Sequence, residues 1–156
     1  MAGQFTAYRS SALQANLQPA QWENPSDPKD YRIKEGAVWI NVANGIPGKE
    51  KSWDWTNKIV WKVITADIET ILAGWVEKDG TKSISLFHKD QNEVNNTLRI
   101  QPGSNNTYAL YFNKGDIKVP IYLSKGQWIV FCKLLSDSYA DIIGWRLTKD
   151  ESGPNF

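Results

Sequence analysis

Between Trp53 and Trp75 the hydrophobic period changes abruptly, and this switch constrains the fold more than any other feature of the chain. Trp53, Trp55, Ile59, Trp61 and Val63 share one parity, while Asp54, Thr56, Lys58 and Lys62 fill the other, so the stretch alternates like a strand. From Thr65 the spacing turns helical. Ile68, Ile71, Leu72 and Trp75 recur on one face, with Thr65 as N-cap, Asp67 as a first-turn acid and an end near Gly74 or Trp75. Upstream, Ala37–Ala43 (AVWINVA) is rich in branched and aromatic residues, and NGIPGKEK supplies a turn, so these segments predict a hairpin that feeds a helix. Ser10–Leu17 predicts a further strand.

The second half repeats this order. Ser83–His88, Thr97–Gln101, Thr107–Asn113 and Ile117–Leu123 read as strands separated by Gly- and Asn-bearing turns. Ser124 and Gln127 then form a capping box, followed by a wide apolar stripe of Trp128, Ile129, Phe131, Cys132, Leu135, Tyr139, Ile142 and Ile143. Runs of strands, each closed by a helix, predict an α+β fold with antiparallel sheets covered on one side, a pseudo-repeat in topology. The stripe is wider than one small sheet needs. Trp128, Phe131, Leu135, Tyr139, Ile142 and Trp145 are therefore expected to serve contacts between subunits.

At 156 residues the chain has the size of one domain, and 18 basic against 17 acidic residues give a net charge of +1. Its single Cys, Cys132, excludes an internal disulfide, and with the lone His88 it leaves too few ligands for a zinc site. No metal or other cofactor is expected. No phosphate loop, nucleophile elbow or Cys–His pair is present. Asp54, Asp67 and Glu69 are the carboxylates nearest to a nuclease set, but helical spacing turns Asp67 and Glu69 apart, and the chain is not read as an enzyme. No segment has the apolar length of a membrane span, nor does the N-terminus have signal or transit composition, which points to a bacterial or phage-infected cytoplasm.

Strand parity separates two faces in the second half. Ile84, Leu86, Leu98, Ile100, Tyr108, Leu110 and Phe112 form the core side. The other side carries Ser83, Ser85, Phe87, Thr97, Arg99, Gln101, Ala109, Tyr111 and Asn113, flanked by Lys82, His88 and Lys89. Aromatic faces for bases and cations for phosphates suit single-stranded nucleic acid. The same pattern also describes a solvated sheet face with ordinary cross-strand pairs. Trp53, Trp55 and Trp61 read mostly as core, because a strand facing a helix is apolar on that parity.

The ordered segments YRIKEGAVWINVANGIPGKEKSWDWTNKIVWKVITADIETILAGW, SLFHKD, NNTLRIQP and IIGW resemble the plant Whirly family across about residues 8 to 146. Within them Trp53, Asp54, Trp55, Lys58, Trp61 and Thr65 make up the signature, and SLFHKD is similar to the family's Phe-Phe-His-Asp segment. The fold is shared with mitochondrial RNA-binding editing proteins and, more distantly, with single-stranded-DNA-binding transcription coactivators. The resemblance implies two roughly four-stranded antiparallel sheets, each closed by a helix, and a homo-oligomer, with a tetramer favoured. It implies single-stranded DNA as the partner, bound with little sequence specificity in protection, recombination, repair, replication or transcription. RNA is the alternative ligand, and a protein-protein scaffold is the alternative function. Carried over by position, the binding residues are Trp53, Trp55, Lys58, Lys82, Phe87, His88, Lys89, Arg99, Tyr108 and Tyr111. Arg9 is the remaining cation where the family has Lys-Gly-Lys-Ala-Ala-Leu and this chain has Tyr8–Leu13. Residues 1–7 are expected to be a flexible N-terminus and 147–156 a polar tail.

Overall fold

The computed structural model describes residues 3–30 and 33–146, so the expected tail lies outside the described residues. The first half comprises β1 (Gln4–Tyr8), β2 (Ser11–Gln18), the short β3 (Gln21–Trp22) and β4 (Ile33–Lys34), β5 (Ala37–Asn44), β6 (Ile59–Val63) and α1 (Thr65–Ala73). The second half comprises β7 (Val76–Lys78), β8 (Thr81–Lys89), β9 (Asn95–Pro102), β10 (Thr107–Lys114), β11 (Ile117–Ser124) and α2 (Lys125–Arg146). One sheet has the order β1-β2-β5-β6 and the other β11-β10-β9-β8-β7, with β3 and β4 forming a small separate hairpin. All pairings are antiparallel. The α+β pseudo-repeat is thus the architecture, with one added strand on the second sheet.

Alternation decides what each sheet buries. Phe5, Ala15, Ile40 and Trp61 lie in one cross-strand row, and Ala7, Leu13, Val42 and Ile59 in the next, all of them buried. On the second sheet Ile84, Leu86, Leu98, Ile100, Leu110, Phe112, Val119 and Ile121 do the same. α2 packs against α1, β1, β5, β10 and β11, while β11 touches β2 and β5. Both sheets therefore share one core with α2 between them. Pro120 is tolerated because β11 is an edge strand, where one row of N–H groups has no ladder partner to lose.

Four differences from the sequence reading have local causes. Residues 4–7, expected to be flexible, belong to β1, and Phe5 and Ala7 are buried against the core. Trp53 and Trp55 do not continue the strand of Trp61. Asp54 Oδ2 accepts a hydrogen bond from Asn57 Nδ2 at 2.8 Å, and a 3-10 turn at Trp55–Asn57 delays β6 until Ile59. α1 is capped one residue earlier than Thr65, since Asp67 Oδ2 accepts the Ile64 N–H at 3.3 Å. Finally, Phe131, Leu135, Ile142 and Trp145, expected between subunits, are at most 7% exposed within the chain itself. The shared core of two sheets takes up these four side chains, with Trp128 and Tyr139 partly buried against it and Ile129 left exposed. The capping box at α2 forms as the sequence predicts, with Gln127 Oε1 2.9 Å from the Ser124 N and Ser124 Oγ 3.2 Å from the Gln127 N.

Candidate nucleic-acid interface

Each sheet leaves one face uncovered by helices. On the second sheet the registers align Ser85, Arg99, Tyr111 and Pro120 in one row and Phe87, Thr97, Asn113 and Lys118 in the next. A third row holds Gln101, Ala109 and Tyr122. Phe87 is 58% exposed and Tyr122 43%, whereas Ala109 is buried between its larger row neighbours. Arg99 stands 5.2 Å above the centre of the Tyr111 ring, close enough for the ring's negative face to attract the cation. Tyr111 and Tyr122 meet edge to face at 6.3 Å, and hydrogen bonding to Tyr111 pushes the Tyr122 hydroxyl pKa up from its ordinary 10.0. The result is a broad, shallow surface: one depression of about 390 Å³ beside Phe87 and another of about 410 Å³ beside Lys118 share Arg99, Tyr111 and Asn113.

The first sheet carries a matching arrangement that sequence reasoning missed. Trp39 and Lys62 are cross-strand partners on its open face, and the Lys62 ammonium sits 5.7 Å from the Trp39 ring centre. Asn16 and Gln4 extend the row, and Gln14 donates a hydrogen bond to the Tyr8 hydroxyl at 2.7 Å. The signal was present in AVWINVA, where Val38, Ile40 and Val42 take the buried parity and leave Trp39 on the other. Likewise IKVPIYLS buries Val119, Ile121 and Leu123 and turns Lys118, Pro120 and Tyr122 outward.

The carried-over residues divide by position. Phe87, Lys89, Arg99 and Tyr111 share the open face of the second sheet. Tyr108 does not: its parity turns it to the helix side, where its ring stacks on Trp128 at 4.9 Å and on Trp75 at 6.1 Å. His88 is also on the helix side, with Nε2 2.7 Å from Asp67 Oδ2 and the ring 4.6 Å from Trp61, so it ties β8 to α1. Lys82, on β8, is exposed opposite Glu77. Arg9 and Trp53 lie at the far end of the first sheet. The Trp53 indole donates to the Arg9 carbonyl at 3.0 Å, and both line a cavity of about 520 Å³ with Lys49 and Lys51. Trp55 is half-buried in the 3-10 turn and Lys58 is exposed just after it.

The carboxylates are occupied separately. Asp54 is engaged by Asn57, Asp67 by His88 and Ile64, and Glu69 by the Tyr139 hydroxyl at 3.0 Å. Among the described residues no group of three or more His, Cys, Asp or Glu side chains is placed to hold a metal ion. None of the described helices is long and apolar enough to cross a membrane.

Against solved structures the chain superposes on WHY3 from Arabidopsis thaliana with a TM-score of 0.72 at 17% identity, over 94% of this chain and 92% of the other. WHY1 from the same plant gives 0.72 at 17% identity, over 94% and 88%. The plant transcriptional regulator PBF-2 gives 0.66 at 18% identity, over 94% and 85%. No protein-family model matches the sequence, and no curated protein matches it. The fold defined by two helix-closed antiparallel sheets in this order is Whirly-like.

Proposed function

We propose that the chain is a non-catalytic binder of single-stranded nucleic acid, DNA in preference to RNA, which lies along the open sheet faces. Bases stack on Phe87, Tyr111, Tyr122 and Trp39, while Arg99, Lys118, Lys62 and Lys89 meet the phosphates. The observation that carries this reading is the repeated pair: a cation over an aromatic ring on the open face of each sheet. Stacking accepts any base, so these platforms give little sequence specificity, and each stacked base contributes about 1–3 kcal/mol. A protein of this kind serves DNA protection, recombination, repair, replication or transcription. The Whirly-like fold and the sequence resemblance support the same assignment.

Near-neutral charge sets the balance between stacking and phosphate contacts. With a slope of about −0.7 per neutralised phosphate on single strands, the four open-face cations predict a log–log salt slope no steeper than about −3. A more basic face is expected of a protein that holds RNA by its backbone alone. Homo-oligomerisation, as a tetramer by the resemblance, belongs to the same proposal. On α2 the large apolar side chains that remain exposed for it are Ile129 and Val130, at 57% and 56%. Competition among single-stranded DNA, RNA and duplex of equal length tests the assignment. Preference for single-stranded DNA supports it, and equal or stronger displacement by duplex refutes it.

A further inference from the structure

A cleft of about 330 Å³ opens where the edge strand β6 meets the end of β8, lined by Trp39, Trp61, Lys62, His88, Lys89 and Asn96, among others. Two of these residues are nearly inaccessible, Trp61 at 1% and Asn96 at 7%, yet neither Trp61 Nε1 nor Asn96 Oδ1 has a hydrogen-bond partner among the described residues. His88, the cross-strand partner of Asn96, has its Nε2 committed to Asp67. An unmet buried donor or acceptor is destabilising, so two in the lining of one cleft ask for a physical account.

The surroundings narrow the ligand. Trp39 offers an aromatic wall, and no carboxylate among the described residues pairs with Lys62 or Lys89. Asp90, the acid lining the cleft, accepts the Val94 and Asn92 N–H groups and pairs with Lys114 at 3.5 Å, which leaves those two cations available. A planar group bearing a donor beside an acceptor, attached to a phosphate, matches this set. The geometry points to one nucleobase turned out of the bound strand into this cleft, where it displaces the side chains that close Asn96 Oδ1 and Trp61 Nε1 off from solvent, hydrogen-bonds its edge to those two atoms and leaves its phosphates on Lys62 and Lys89. For thymine, N3–H donates to Asn96 Oδ1 and a ring carbonyl accepts from Trp61 Nε1–H. This inference rests on the proposed strand binding and deepens it: stacking is blind to a base edge, whereas this position reads one.

The test compares oligo-dT with an oligomer in which difluorotoluene, which keeps thymine's shape without its hydrogen bonds, replaces every thymine. The full chain should bind the isostere about tenfold more weakly, the equivalent of about 1.4 kcal/mol. Asn96→Leu removes one unmet atom with a similar shape, Trp61→Phe removes the other with a smaller ring, and both variants, once circular dichroism shows them folded, should bind the two oligomers equally. Asn96→Leu should melt no lower than the parent, because it removes an unsatisfied buried group. Equal binding of both oligomers by the parent chain overturns the base cleft while leaving strand binding in place. Retained discrimination in both variants overturns the assignment to Asn96 and Trp61. Failure of the parent to bind either oligomer refutes the strand-binding reading itself.

Discussion

Arg99 and Tyr111 face each other directly across β9 and β10, with the guanidinium 5.2 Å from the ring centre on a face no helix covers. In the proposed function this ring stacks a base and the cation over it meets a phosphate. Replacing Tyr111 by Ala should weaken single-strand binding by about 1–3 kcal/mol, and Phe87→Ala should do the same. Both lie outside the core, so calorimetry should show little change in melting. Unaltered affinity in both variants, measured by anisotropy, argues against this face.

Trp39 and Lys62 make the corresponding prediction for the first sheet. Trp39→Ala should weaken binding by about 1–3 kcal/mol, whereas Lys62→Gln should mainly flatten the salt dependence by about 0.7 in slope. Titrations at several salt concentrations separate the two effects. If Trp39→Ala leaves the affinity unchanged, the strand does not cross the first sheet.

Trp61 contributes mainly to stability, whatever its indole N–H does for a bound base. It is 1% exposed in the row of Phe5, Ala15 and Ile40, so Trp61→Ala should cost about 3–5 kcal/mol of stability through the cavity it leaves. Urea unfolding measures this. An unchanged midpoint contradicts the burial described here.

Two titrating groups give predictions without ligand. The Val94 N–H, followed by the Asn92 N–H and Lys114, holds the Asp90 carboxyl below its ordinary 3.8 against a partial desolvation that raises it. Its contribution to stability is therefore complete above 3.8 and is lost as pH falls through the lower, folded value. The melting difference between the parent and Asp90→Ala should be constant near neutral pH and shrink in acid. Burial pushes the Cys132 thiol up from 9.0 to about 11. At neutral pH its thiolate fraction is about a hundredfold below that of a free thiol, so alkylation followed by mass spectrometry should be far slower in the folded chain than in urea.

Much of this was legible in the sequence because period and capping are local. The switch at Thr65, the Ser124–Gln127 box and the parity of Ile84, Leu98 and Leu110 each follow from residues a few positions apart. What failed depended on distant partners. Strand parity already places Tyr108 on the core side, where Trp128 of α2 and Trp75 just after α1 stack on it; only the carry-over from the resemblance makes it a ligand contact. His88 looked exposed until Asp67, 21 residues away, took its Nε2. Phe131 and Trp145 are more than a single small sheet needs, and they are buried because strands of both sheets pack on α2. Trp39 was readable by parity, yet its meaning came from Lys62 across the ladder.

The central claim is that a strand without a complement lies on the open faces by stacking. The most direct measurement is an anisotropy titration of oligo-dT with the parent chain and with the Trp39→Ala, Tyr111→Ala double variant, folding of both confirmed by circular dichroism. The account predicts saturable binding by the parent and a loss of roughly 2–6 kcal/mol in the double variant, the sum of two stacked bases. A folded double variant that binds like the parent would contradict it.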